Sequence, residues 1–277
     1  MACGYLKALI NSRGRRVTTH VTSERQAEIA ERVRQNGFQS VTDLALHFGV
    51  TTQTIRRDIN ELSDVGVLRR RHGGVELPLP SENIGFEERQ ILNFAAKEQI
   101  ARVVESHIPH GASVAISIGT TPALTVRHLA SRRGLTIVTN SLVAAVNACA
   151  LPDVEVHVPG GSVRPGSRDI LGADAEAFFE GFKVDIGLYG VGGVDANGEL
   201  LDFTQHEVQV RETIRRNARR SYLVLDASKF DRAAHVRGGW ISEADTVFCD
   251  RLPPTAIRAQ IEAVGHDIVL CGAGEDS

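Results

Sequence analysis

The chain has little that would let a single residue class announce a function. Across 277 residues there is one Trp, one Met and only 5% aromatic residues. No apolar run approaches the roughly 20 residues needed to span a bilayer. Its four cysteines, Cys3, Cys149, Cys249 and Cys271, are widely separated and form no CxxC pair. That spacing signals neither a zinc site nor a redox motif; isolated cysteines of this kind are expected as small buried hydrophobes. No metal site, cofactor or catalytic residue set is signalled. The formal net charge is −3, so nothing pulls the chain as a whole toward nucleic acid, and any such attraction has to be local. The N-terminus "MACGYLKALINSRGRR" has a short apolar stretch with arginines after it, the reverse of a secretory signal. The expectation is a cytoplasmic protein that does not enter a membrane.

Positive charge is concentrated in one place. "TTQTIRRDINELSDVGVLRRRHGGV", residues 51–75, carries Arg56, Arg57, Arg69, Arg70, Arg71 and His72. The surrounding punctuation is helical. Thr22 or Ser23 can cap a helix bearing Ala27, Ile29, Ala30 and Val33, and Asn36-Gly37 ends it. Ser40 or Thr42 caps a two-turn helix that Gly49 ends. Thr51 or Thr52 caps a longer one reaching about Val65, where Gly66 stops it.

Two short helices joined by a tight turn make a helix-turn-helix, whose second helix enters the major groove. Ala45 is small at the expected crossing point. Ile55, Ile59 and Leu62 share one face at i, i+4, i+7, which turns Gln53, Arg56, Arg57 and Asn60 the other way. Gln and Arg can read base edges, while Arg, Thr51, Thr52 and Thr54 can hold phosphates. Arg69, Arg70, Arg71 and His72 then fall on a basic hairpin, or wing, ending in Gly73-Gly74. The bland alternative is a solvated helix-hairpin that makes only protein contacts.

The remainder has a different rhythm. Short apolar segments, "SVAIS", "LTIVT", "VEVHV", "VDIGLYG", "YLVLD", "DTVFCD" and "DIVLC", alternate with amphipathic stretches such as "TTPALTVRHLAS" and "QHEVQVRETIRRNA". Several are continuous β-branched runs, as in strands covered on both faces, and the alternation predicts a mainly parallel α/β sheet. The expected division is a flexible extension over 1–21, a winged helix-turn-helix over 22–77, a linker over 78–96, and an effector-binding α/β domain over 97–277.

In open α/β sheets ligands bind beyond the carboxyl ends of the strands. "GTT" (Gly119, Thr120, Thr121) follows the first strand and opens a helix, where free N–H groups suit a phosphate. A Gly-Thr turn is equally a common cap. Ser117, Asn140, Gly160, Gly161, Arg164, Gly190 and Lys229 sit at or beyond other strand ends. Lys229 and Arg164 can neutralise a phosphate, though Arg164 suits a surface salt bridge equally. His206 and Glu207 open a predicted helix; Glu207 can complement its dipole or bind ligand hydroxyls.

The stretch "VTDLALHFGVTTQTIRRDINELSDVGVLRRRHGGV" strongly resembles the N-terminal domain of DeoR-family transcriptional repressors, and the resemblance extends over about residues 22–271. "IGTTP", "IVTNSL", "GGSVR", "RDILG", "LLDFTQHEV" and "LVLDASKF" carry it through the second domain. It implies a repressor that binds double-stranded operator DNA as a homo-oligomer, a dimer or tetramer. It also implies a sensor domain related to ribose-phosphate isomerases, and release by a phosphorylated small molecule such as sn-glycerol 3-phosphate. Ser117 stands where the family usually has Asp, a weaker acceptor for ligand hydroxyls. An alternative reading is a sugar-phosphate isomerase or deaminase fused to a DNA-binding module, with Asp185, Glu207 or Asp226 offered as general base.

Overall fold

A computed structural model describes residues 9–10, 16–17, 24–64, 67–76 and 85–272. The chain divides into two compact units, residues 1–78 and 79–277. Of the expected N-terminal extension only β1 (Leu9–Ile10) and β2 (Arg16–Val17) are described, as an antiparallel pair. Thr22 and Ser23, the candidate first cap, lie outside the described residues.

In the first unit α1 (Glu24–Asn36) is followed by β3 (Gln39–Ser40), α2 (Val41–Phe48) and α3 (Thr52–Asp64). A hairpin of β4 (Arg69–Arg71) and β5 (Gly74–Glu76) completes it. Local chemistry accounts for the boundaries. Ser40 Oγ accepts the Asp43 N–H at 3.0 Å and caps α2. Gly49 ends that helix at φ 62°, a left-handed conformation that costs glycine little. Thr51 Oγ1 accepts the Thr54 N–H at 3.2 Å and opens α3.

Ile29, Val33, Leu44, Ala45, Ile55, Ile59, Leu62, Leu68 and Val75 form the core of this unit. The Ile55–Ile59–Leu62 face is therefore buried as its spacing predicts. The Gly-Gly of the wing divides its work. Gly73 turns at φ 81°. A β-carbon on Gly74 would collide with the Gln39 carbonyl, because β3 pairs directly alongside β5.

The second unit begins with α4 (Phe86–Ile91) and α5 (Phe94–Ser106), where the sequence suggests a linker without core residues. Residues 78–84 of that expected linker lie outside the described residues. Phe86 is buried in the main core with Ile100, Val104 and Ile116. A single aromatic anchor, invisible as periodicity, is enough to dock this short helix.

The elements then run β6 (Ser113–Ile116), α6 (Thr120–His128), β7 (Leu135–Thr139), α7 (Leu142–Ala148) and β8 (Val154–His157). A small hairpin, β9 (Val163–Arg164) and β10 (Asp169–Ile170), leads to α8 (Ala173–Glu180) and β11 (Val184–Tyr189). Next come β12 (Gly193–Val194), β13 (Glu199–Asp202), α9 (Gln205–Arg216), β14 (Ala218–Leu225) and β15 (Val236–Trp240). The described part closes with β16 (Thr246–Cys249), α10 (Thr255–Ala263) and β17 (Asp267–Leu270).

Seven strands form one parallel sheet in the order β17-β16-β14-β11-β6-β7-β8. They are the seven apolar segments picked out in the sequence. β12, β13 and β15 make a separate antiparallel sheet over the carboxyl edge that sequence pattern does not show.

β6 lies between β7 and β11, so successive connections leave it in opposite directions. That reversal is a topological switch point, which opens a crevice at the carboxyl ends of β6 and β11. Cys249 and Cys271 are buried, as expected for small hydrophobes, but Cys149 is exposed just past the end of α7.

Candidate nucleic-acid interface and ligand pocket

The outer face of α3 carries exposed Thr52, Gln53, Arg56, Arg57 and Asn60, with Thr51 exposed before it and Thr54 half-buried. The opposite face is held by more than apolar packing. Buried Asp58 accepts from Arg25 Nε at 2.7 Å and Nη2 at 3.2 Å, tying α1 to α3. Gln26 Nε2 donates to Glu61 at 2.6 Å, and Glu61 also accepts from Arg57 Nε at 3.0 Å. These contacts orient α3 about its axis and so fix which side chains face outward.

The wing is not a row of independent cations. Arg69 and Arg71 both pair with Glu76, at 2.5 and 2.9 Å. Hydrogen bonds from the two guanidiniums hold the Glu76 carboxyl below its ordinary range. Arg70 Nη1 donates to Asn60 Oδ1 at 2.9 Å, linking the wing to α3. His72 is exposed at the turn.

In the second unit the crevice at the switch point is a pocket with about 580 Å³ of empty space, part of it open to solvent. Ser117, Gly119, Thr120, Thr121, Gly190, Glu207 and Lys229 all line it, which brings together seven of the twelve residues singled out for effector binding. Gly119 precedes α6 at φ 130°, ψ 158°, and Thr120 and Thr121 begin the helix. The N–H groups of a first helical turn have no intrahelical acceptor, and Pro122 in that turn has none to offer. Glycines keep the opposite wall thin: a β-carbon on Gly192 would meet the Leu201 carbonyl at 2.8 Å. Gly192 N donates to Asp202 Oδ1 at 2.8 Å.

The other five residues do not line the pocket. Asn140 is buried and donates to the Ile170 carbonyl at 2.8 Å, while Gly160 and Gly161 are exposed. His206 is exposed, with Nδ1 3.0 Å from Gln209 Oε1. Arg164 is engaged elsewhere. It pairs with both oxygens of buried Asp169, at 2.7 and 2.8 Å, and reaches Glu207 at 3.1 Å. Of its two sequence alternatives, salt bridge and phosphate contact, the salt bridge is the one formed.

Glu207 is likewise occupied. Its Oε2 accepts the Phe203 and Thr204 N–H groups at 3.0 and 3.2 Å, closing a capping box with Thr204, and its Oε1 takes Arg164.

The charges left over are cations, and the sequence reading missed most of them. Arg89 lines the pocket from α4, inside the supposed linker. Its buried Nε meets no acceptor among the described residues, and its guanidinium lies 5.9 Å from the Phe86 ring centroid. Lys229 follows β14, and no ion pair or hydrogen bond from its ammonium is found among the described residues.

Lys97 is buried and caps the end of α4, donating to the Arg89 carbonyl and to the Leu92 carbonyl at 2.6 Å. Arg232 stacks on Phe203 at 5.4 Å. Buried Asp226 is the carboxylate within reach of Lys97, Lys229 and Arg232. Burial, reinforced by Arg232 and the other cations, pushes Lys229 down to about 7. Burial and the neighbouring arginines lower Lys97 to about 8. Arg89 and Arg232 are also lowered by burial. Lys97, Lys229 and Arg232 share Asp226, and Arg89 bears on Lys97 and Lys229, so these cations hold each other in an unfavourable state that an anion would relieve.

Arg211 is the exception among the lining cations. It is fully buried and neutralised by Asp202 at 3.0 Å and Glu212 at 2.7 Å, with a further bond to the Gly238 carbonyl at 2.5 Å. Burial raises the Asp202 carboxyl despite this partner.

A DNA-reading motif in the first unit and an anion-seeking crevice in the second are the two parts of a ligand-sensing regulator of transcription. Comparison with known proteins gives the particular group. The DeoR-like helix-turn-helix domain matches residues 25–80, and the DeoR C terminal sensor domain matches residues 92–251. The chain belongs to the DeoR family.

The glycerol-3-phosphate regulon repressor of Escherichia coli K12 is 39% identical over 249 residues, 90% of this chain and 99% of its own. That of Haemophilus influenzae is 38% identical, over 90% of this chain and 97% of its own. The transcriptional repressor CsqR of E. coli K12 is 34% identical over 86% of this chain and 91% of its own. Among solved structures, ribose 5-phosphate isomerase A from Methanocaldococcus jannaschii overlaps 50% of this chain and 55% of its own, with TM-score 0.36 and 18% identity. So low a score does not itself place the two in one fold.

Proposed function

We propose that the chain represses transcription by binding operator DNA through α3 and the wing, and that a phosphorylated polyol, sn-glycerol 3-phosphate, releases it. On the DNA side, Gln53, Arg56 and Arg57 read bases or clamp phosphates. Thr51, Thr52, Thr54, Arg69, Arg70, Arg71 and His72 hold the backbone. Asn60 supports Arg70 and so joins the wing to the reading surface. The protein acts as a homo-oligomer in the cytoplasm, where its operator lies.

The observation that carries the effector reading is the pair of lining cations Arg89 and Lys229 beside the free first turn of α6, with Lys229 lowered by burial and by Arg232. The phosphate takes the Gly119–Thr121 turn and Lys229. The hydroxyl end faces Ser117, Asp202 and Glu207. The 38–39% identity to two glycerol-3-phosphate regulon repressors supports that particular effector.

The chain is a sensor, not an isomerase. Asp185 is bound to Ser113 N and Oγ at the start of β6, remote along the strand from the pocket, and those bonds lower its carboxyl. Both oxygens of Glu207 are committed to capping and to Arg164. Asp226 is not among the residues lining the pocket, and its Oδ1 accepts from Asn93 and Ser228.

The test is a thermal-shift panel of phosphorylated sugars and polyols on the full chain, with operator release by mobility shift. The expected result is a rise in melting temperature with glycerol 3-phosphate and release over the same concentration range. Stabilisation only by a different phosphate ester would reassign the effector, and turnover of a sugar phosphate would overturn the sensor reading.

A further inference from the structure

The pocket receives Arg89 from α4, where the described part of the second unit begins. Glu76 ends the wing and Phe86 begins α4, so residues 77–85 separate the DNA-reading hairpin from α4 in sequence. Arg89 lies on that helix and lines the pocket, with a buried Nε that has no acceptor among the described residues.

The end of α4 is stitched to the same turn that carries Lys229. Asn93, in the left-handed region at φ 53°, donates to Asp226 Oδ1 at 2.9 Å and to Ser228 Oγ at 2.8 Å. Asp226 Oδ1 also accepts Ser228 N at 3.1 Å. Lys97 closes the junction from α5 through the Arg89 and Leu92 carbonyls. A group bound at Lys229 thus touches a turn whose hydrogen bonds run directly into the break between α4 and α5.

We propose that Arg89 is an effector ligand and that the Asn93 junction is the relay by which the occupied pocket repositions α4. The proposal rests on the effector reading above. A ligand shifts a two-state equilibrium only through unequal affinity for the two states. Arg89 supplies that inequality if its contact with the phosphate forms in one position of α4 and not in the other. Its charge then stabilises the ligand-bound, low-affinity arrangement.

The experiment uses full-length wild type, Arg89→Gln, Arg89→Lys and Asn93→Gly. It measures glycerol 3-phosphate and inorganic phosphate binding by calorimetry, and operator affinity with and without saturating ligand. Arg89→Gln should weaken glycerol 3-phosphate about tenfold or more, the range of a lost charge-assisted hydrogen bond, with ligand-free operator affinity unchanged. Arg89→Lys should recover part of the loss. Asn93→Gly keeps the left-handed backbone without strain. It should bind ligand within about threefold of wild type, yet lose most of the ratio between ligand-free and ligand-saturated operator affinity.

If wild type binds neither compound nor any phosphate ester, the effector reading itself fails and this proposal with it. If wild type binds and Arg89→Gln matches it, Arg89 is no ligand. An unchanged coupling ratio in Asn93→Gly removes the junction as relay.

Discussion

Replacing Lys229 with Gln should make the ligand-free protein more stable while abolishing its response to effector. The unfolded chain carries Lys229 near its ordinary value of 10.5, and the folded pocket holds it at about 7. The folded value is the lower one. Between about 7 and 10.5 the unfolded chain therefore binds the proton that the folded chain has released, and stability rises with pH across that window. Below 7 the full penalty is present; above 10.5 it is gone.

At about 1.36 kcal/mol per unit, the ceiling on this penalty at pH 7 is about 4 kcal/mol. The pocket is open to solvent, so roughly 2 kcal/mol is a fairer expectation. No hydrogen bond from the ammonium offsets it among the described residues.

For a domain of this size roughly 2 kcal/mol corresponds to about 4–8 °C in melting temperature. Calorimetry of wild type and Lys229→Gln at pH 6.5 and pH 9.5, both without ligand, reads the effect. The variant should melt higher at pH 6.5, and the gap should shrink at pH 9.5. Arg232, Lys97, Arg89 and Asp226 face Lys229 in both proteins, so their own titration largely cancels in the comparison. A variant that is less stable at pH 6.5, or a gap independent of pH, would refute the picture of a cation stored for an absent anion. Glycerol 3-phosphate should raise the wild-type melting temperature and leave that of Lys229→Gln unmoved.

Two further outcomes concern DNA. Arg57→Ala should weaken operator binding about tenfold or more in a mobility-shift titration, with the melting profile nearly unchanged. Arg57 is 81% exposed, its only described side-chain partner is Glu61, and Ala favours a helix. Arg70→Gln should weaken specific and random DNA to a similar degree and reduce the salt slope of binding by about one, the signature of a phosphate contact. A large loss confined to the operator would instead make Arg70 a base reader.

Much was legible in the chain because it is local. The recognition helix follows from Thr51, the Ile55–Ile59–Leu62 spacing and Gly49. All seven strands of the parallel sheet stand out as apolar runs because both faces of each are covered. Seven of twelve proposed effector residues reached the pocket because strand-end loops converge wherever parallel strands align.

The misses share a cause of a different kind. Arg164 and His206 sit at suitable positions in sequence, yet Arg164 meets Asp169 and Glu207 first, and His206 points to solvent. Arg89 lies in a stretch whose only core signal is the lone Phe86, so nothing local marks it as a pocket residue. Wing arginines look alike in sequence, while in space Arg69 and Arg71 share Glu76 and Arg70 alone reaches Asn60.

The two-part plan, the face that α3 presents and the strand ends where a ligand is to be sought all follow from local sequence. Short-range periodicity and capping depend only on neighbours within a few residues. Which charges meet a counterion is settled by the packing of distant segments. Neutralisation depends on which carboxylate lies within a few ångströms, and the one that reaches Arg164, Glu207, stands 43 positions away along the chain.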